Sequence, residues 1–169
     1  MKKYMSDKRV TLPIQKRRES YYQTVWNHIV KEAKFYGYFE LKKTLIDKIN
    51  YAYIPQHQID GLLSAQEFGV AWKISDQDQR MKPFDSFFMP PQTSYLVIYF
   101  VKKKQFCAIT IENFLSAKKE SEENNERFFT YEKAYSIATK VFTVGIKTHE
   151  RNSSKIITTF KDYDITDFQ

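Results

Sequence analysis

The stretch "TSYLVIYFV", residues 93 to 101, constrains the fold more than any other part of the chain. Apolar and β-branched side chains fill it without the alternation of a half-wetted strand, so it reads as a central strand buried on both faces. Such a strand needs neighbours beside it and layers above and below, as in a sheet flanked by helices. The neighbouring stretches suit that need. "KKK" makes a turn, "QFCAITI" an adjoining strand, and "YFELKKT" (38 to 44) and "VAWKIS" further strands.

Helical periodicity supplies the layers. From Glu19 onward, Tyr22, Val25, Trp26, Ile29, Val30 and Ala33 fall on one stripe, and Gly37 offers a stop. "INYAYIP" reads as an extended segment ending at Pro55, and "HQIDGLLSAQEFG" as a helix with Ile59, Leu62, Leu63 and Phe68 inward and Gly69 at its end. "DQDQRMKPFDSFFMPPQ" reads as a long polar loop, and "ENFLSAKKESEENNER" as a short helix fading into a charged loop. "YEKAYSIATKVF" reads as a further helix, and "SKIITTF" as the last strand candidate. The expected architecture is α/β, a mixed sheet of about four or five strands flanked by helices.

At 169 residues the chain is long enough for one domain with a substantial core and short for two. Residues 1 to 18 carry seven lysines and arginines against one aspartate, which reads as a flexible basic arm ahead of a domain spanning 19 to 169. The net charge of +7 favours an anionic partner such as nucleic acid or an acidic membrane surface. The single cysteine, Cys107, reads as a small buried hydrophobe and points to a reducing compartment. No apolar run reaches the roughly 18 residues of a membrane span, and no signal-peptide core follows the start. A soluble, cytoplasmic protein is the expectation.

Within "YFELKKT", Glu40 and Lys42 stand two apart, so on a strand they project side by side from one face. A carboxylate there can hold a hard cation such as Mg²⁺, and the ammonium can steady an attacking water or the charge developing on a phosphate. The same spacing also occurs in the charged stripe of an ordinary solvated strand.

The ordered series says more than the pair. "FELKKT", then "HQIDGLLSAQEFG", then two β-runs ending in "QFCAITIENFL" resembles the RecU-type Holliday junction resolvases of the PD-(D/E)XK nuclease superfamily, over about Val30 to Lys118. The resemblance implies a restriction-endonuclease-like fold and metal-dependent cleavage of branched DNA in recombination and repair. It implies Glu40 as ligand to Mg²⁺ or Mn²⁺, Lys42 at the scissile phosphate, and Gln58 near the site. It also implies a homodimer, because symmetric cleavage of a four-way junction needs two related sites. The family carries an aspartate on a strand of its own about a dozen residues before the Glu-x-Lys; here no aspartate lies between Asp7 and Asp47, and that hairpin has no counterpart. Glu19 and Glu32 are the acids that precede Glu40 most closely. A fold that keeps junction binding without the nuclease is therefore a second reading, and an unrelated basic interaction module a third.

The remaining candidates concern DNA contact. Lys16, Arg17 and Arg18 in the arm, Arg80 and Lys82 in the polar loop, and Lys102 to Lys104 in the turn are suited to phosphates. Tyr21 and Tyr22 could stack on unpaired bases or belong to the core. His57 could act as an acid or base, or simply begin its helix in solvent. Asp76, Asp78 and Asp85 lack the glycine and terminal glutamate of a calcium loop and read as polar surface.

Overall fold

The apolar run of the sequence is β5 (Ser94–Phe100), buried along its whole length. The computed structural model describes residues 19–73, 86–144 and 165–166. β5 is flanked by β1 (Tyr38–Thr44), which runs parallel to it, and by β6 (Gln105–Thr110), which runs antiparallel. β8 (Lys140–Thr143) and β9 (Ile165–Thr166) extend the sheet antiparallel, giving the mixed order β1-β5-β6-β8-β9.

Alternation along β5 divides the interior into two cores. Tyr95, Val97 and Tyr99 join Phe106, Ala108 and Phe142 beneath α1 (Glu19–Ala33), which contributes Tyr22, Val25, Trp26 and Ile29. Leu96, Ile98 and Phe100 join Cys107, Ile109 and Val141 on the opposite face, covered by α2 (Gln56–Phe68) and α3 (Ile111–Glu123). α4 (Tyr131–Ile137) buries Ala134 in this second core. Each large side chain sealed this way is worth about 1.5–3 kcal/mol, so apolar burial stabilises both faces of the central strand. The helices begin where the chain offers caps. Thr110 accepts from the Asn113 N–H at the start of α3, and Thr130 accepts from the Lys133 N–H at the start of α4.

A parallel pair cannot be closed by a tight hairpin, and the chain travels from β1 to β5 through a long crossover. It contains β2 (Lys48–Asn50), a short 3₁₀ turn over Tyr51–Tyr53, α2, and the two-stranded ribbon of β3 (Val70–Lys73) and β4 (Ser86–Met89). β2 pairs with β7 (Phe128–Thr130) in a second small sheet. Among the described residues no helix is long and apolar enough to cross a membrane.

Several expectations give way to tertiary contacts. The polar loop after "VAWKIS" contains β4, whose Phe87 pairs with Trp72 and whose Phe88 pairs with Ala71. The helix expected through "YEKAYSIATKVF" ends at Ile137; Val141 and Phe142 instead pair with Cys107 and Phe106, because β-branched and aromatic side chains there complete the sheet on both faces. "INYAYIP" is only partly extended, since Asn50 accepts from the Ala52 N–H and winds the 3₁₀ turn. α3 continues through the charged stretch to Glu123, with Ser121 fully buried on its inner side. On α2, Ile59, Leu62 and Ala65 face inward as the buried stripe, whereas Leu63 and Phe68 are exposed. "SKIITTF" and the basic arm lie outside the described residues.

Candidate active site

β1 holds the Glu-x-Lys pair, and its backbone direction decides how the pair is presented. The Tyr38 N–H donates to the Thr93 carbonyl at 3.0 Å, and the Val101 N–H donates to the Thr44 carbonyl at 3.0 Å. Even-numbered residues therefore turn their backbone groups toward β5, and Phe39, Leu41 and Lys43 turn theirs to the outer edge. Side chains alternate likewise. Phe39 and Leu41 pack on the α1 core, while Tyr38 packs on the α2 core, so Glu40 and Lys42 share the α2 face.

On that face Lys42 Nζ lies 3.0 Å from Glu40 Oε1, with both side chains largely covered. α2 crosses this end of the sheet against β1 and β5. Its direction is set by Ser94, whose hydroxyl donates to the Leu62 carbonyl at 2.7 Å and whose N–H donates to Gln66 Oε1 at 2.9 Å. Gln58, one turn before Leu62 on the same stripe, carries a buried Oε1 with no hydrogen-bond partner among the described residues. An unpaired buried carbonyl oxygen costs about 1–3 kcal/mol, which marks Gln58 as a side chain without its partner.

The outer edge of β1 borders a cleft of about 310 Å³, lined by Gln23, Trp26 and Asn27 of α1 and by residues 37 to 41, Glu40 included. Gln23 and Asn27 were not legible as site residues: amides on a helix's wet stripe look like solvated surface until a strand edge is placed beside them. Trp26 lends the cleft its floor, packing edge-on to Phe39 at 5.3 Å between ring centres. Glu32 is exposed two and a half helical turns beyond Gln23, on the opposite side of α1, and does not line the cleft.

Other candidates fall elsewhere. Tyr22 is 1% exposed and packs on Tyr99 at 4.9 Å, so it is core and not a stacking platform. Exposed aromatics among the described residues include Tyr36, Tyr53, Phe68, Phe128 and the ribbon residues Trp72, Phe87 and Phe88. His57 is exposed on the first turn of α2. Lys102, Lys103 and Lys104 are exposed in the β5–β6 turn, with Lys103 Nζ 3.9 Å from Asp47 Oδ2 and 5.0 Å from the Tyr131 ring centre. Cys107 is fully buried, and that burial pushes its thiol up to about 12, which removes it from nucleophilic chemistry. Lys16, Arg17, Arg18, Arg80 and Lys82 lie outside the described residues, as do Asp76, Asp78 and Asp85.

A separate polar knot joins α3 to α4. Ser121 Oγ lies 2.8 Å from Tyr51 Oη and accepts from Lys133 Nζ at 2.9 Å. Lys133 also pairs with Glu120 at 3.1 Å and Glu126 at 3.7 Å. Despite some desolvation, these acids hold the Lys133 ammonium above its usual range, so it stays charged and ties the elements together; it is no proton acceptor.

Among the described residues no group of three or more histidine, cysteine, aspartate or glutamate side chains is placed to hold a metal ion. Comparison of the chain with family models, curated proteins and solved structures finds no match.

Proposed function

We propose that this chain is a branched-DNA-binding protein of the RecU resolvase type, built on a restriction-endonuclease-like core. The observation that carries the reading is the placement of Glu40 and Lys42: side by side at 3.0 Å, on a strand parallel to the buried β5, beneath the crossover helix whose Gln58 oxygen has no partner among the described residues. An ammonium held by a carboxylate can receive a phosphate oxygen, and Glu40 also borders the cleft lined by the exposed Gln23 and Asn27 amides. The ribbon supports the same reading. Trp72, Phe87 and Phe88 are exposed aromatic faces suited to unstacked bases, and Arg80 and Lys82 fall in the segment between its strands.

Hydrolysis with Mg²⁺ or Mn²⁺ asks for more. A hard dication takes six or more oxygens, and the described residues put Glu40 forward without a set of further acids around it. They do not fit a complete metal centre. DNA binding does not require it.

The test is a gel assay with a labelled four-way junction and a matching linear duplex, in Mg²⁺, Mn²⁺ or EDTA, scoring binding and nicking together. The junction is expected to be bound more tightly than the duplex, with or without metal. Replacing Arg17 and Arg18 with alanine should weaken binding and reduce its salt slope by about one for each phosphate that the variant no longer neutralises. Metal-dependent symmetric nicks abolished by Glu40→Ala would make the strand catalytic. Equal or absent affinity for both DNAs would refute the reading in favour of a basic interaction module.

A further inference from the structure

The parallel strands β1 and β5 end on the same side of the sheet, and two exposed aliphatic side chains stand there beside a run of lysines. Leu45 and Ile46, the two residues after β1, are 47% and 48% exposed. Their loop is built: Thr44 Oγ1 accepts from the Ile46 N–H at 3.3 Å and donates to the Lys48 carbonyl at 2.8 Å. The β5–β6 turn adjoins it, because the Val101 N–H donates to the Thr44 carbonyl at 3.0 Å and Lys103 Nζ lies 3.9 Å from Asp47 Oδ2. Lys102, Lys103 and Lys104 are all exposed in that turn.

The basic arm of the sequence is tethered at the same end. Residues 1 to 18, with seven lysines and arginines against one aspartate, join the domain at Glu19, the first residue of α1. One turn on, the Tyr22 ring lies 4.8 Å from Lys43 Nζ and 4.9 Å from the Tyr99 ring, beside the ends of β1 and β5. Two acids lie near the loop: Asp47, and Glu132, which follows Tyr131, whose N–H donates to the Asp47 carbonyl at 2.8 Å. The lysines and arginines of turn and arm outnumber them, so the end as a whole is cationic. Leu45 and Ile46 have no ring to stack on a base and no donor or acceptor to read one. Aliphatic groups rimmed by ammonium groups suit an acidic bilayer instead: the side chains leave water for hydrocarbon while the cations attract headgroup anions. Either signal alone is a weak anchor, and the two together make a usable one.

We propose that this end of the sheet docks on an anionic lipid bilayer, with Leu45 and Ile46 inserted below the headgroups and Lys102, Lys103 and Lys104, joined by the arm, on the headgroup anions. The contact is peripheral. Lys103 and Asp47 are an exposed pair of the kind that contributes little in water, so the Lys103 ammonium exchanges its carboxylate for a lipid phosphate at small cost. The inference stands on the geometry and charge of this end and does not rest on the DNA-binding reading.

Flotation of the full chain with large vesicles tests it, using phosphatidylcholine alone or phosphatidylcholine mixed with phosphatidylserine. The wild-type protein should float with the acidic vesicles, less so as salt rises, and stay behind with the neutral ones. Lys102→Gln combined with Lys104→Gln should weaken partition about thirtyfold, roughly fivefold for each lysine taken from the surface. Leu45→Ser combined with Ile46→Ser should weaken it about tenfold or more, with circular dichroism confirming that the fold is kept. Ile46→Cys carrying a polarity-sensitive dye reports insertion directly, because the native thiol, Cys107, is buried; the emission should shift to the blue with acidic vesicles. A wild-type protein that ignores acidic vesicles or binds neutral ones equally overturns the proposal, as does a folded Leu45→Ser, Ile46→Ser protein that floats like the wild type. A dye that responds to duplex or junction DNA and not to vesicles would make the loop a DNA wedge and would also overturn it.

Discussion

Gly37 anchors the start of the Glu-x-Lys strand, and replacing it should move that strand. Its φ of +154° lies in a region that side chains with a Cβ rarely adopt. A Cβ built there would sit 2.5 Å from the Thr93 carbonyl oxygen and 2.8 Å from the Tyr95 ring. The carbonyl cannot yield freely, because it accepts the Tyr38 N–H at 3.0 Å and so opens the β1–β5 ladder. Backbone strain of about 1–3 kcal/mol and a weakened hydrogen bond of about 0.5–1.5 kcal/mol put the cost of Gly37→Ala at about 2–4 kcal/mol. For a chain of this size that lowers Tm by roughly 5–15 °C. Gly61 is the matched control. It lies inside α2 with nothing within 4 Å of a built Cβ, so Gly61→Ala should stabilise by about 0.5–1 kcal/mol through helix propensity and a less free unfolded chain. Thermal and urea unfolding of the two variants decide the matter. A Gly37→Ala protein that melts with the wild type would refute the placement of Gly37 against Thr93, and with it the register that presents Glu40 and Lys42.

Two further outcomes follow from single side chains. Gln58→Leu removes a buried oxygen unpaired among the described residues and should raise stability by about 1 kcal/mol while weakening junction binding; intact binding would remove Gln58 from the site. Glu112 is held below the usual carboxylate range chiefly by the hydrogen bond from Gln66 Nε2, so its contribution is present above the unfolded carboxyl's pKa and lost as pH falls through the lower folded value. Glu112→Gln keeps an acceptor for Gln66 but cannot titrate. Urea midpoints of wild type and variant should therefore converge below about pH 4, and a gap that stays constant with pH would contradict the assignment.

How much of this was legible beforehand varies element by element. The doubly buried β5, the apolar stripe of α1 and the glycine end of α2 at Gly69 follow from periodicity and backbone freedom, which a sequence carries locally, whereas α1 ends at Ala33, before Gly37, with Lys34 taking the positive φ. So does the common face of Glu40 and Lys42, since residues two apart on a strand point the same way. Tyr22 sits on the α1 stripe and could be read either way; only Tyr99, far along the chain, closes over it. Helical spacing in "YEKAYSIATKVF" continues past Ile137, but pairing of Val141 and Phe142 with β6 outweighs local propensity. Leu63 and Phe68 look apolar enough for the core and are left outside because the sheet lies under the neighbouring stripe of α2.

The site divides along the same line. Residue order by itself determined that a carboxylate and an ammonium share one strand face and that β5 must be covered on both sides. Only the tertiary structure decided that β1 is an edge among the described strands, that Gln23 and Asn27 border Glu40, and that the Gln58 oxygen is buried without a partner among the described residues. The physical reason is range. Periodicity and turn chemistry act over a few residues, whereas edges, clefts and unpaired atoms depend on which distant segments meet, and those meetings exist only once the chain has folded.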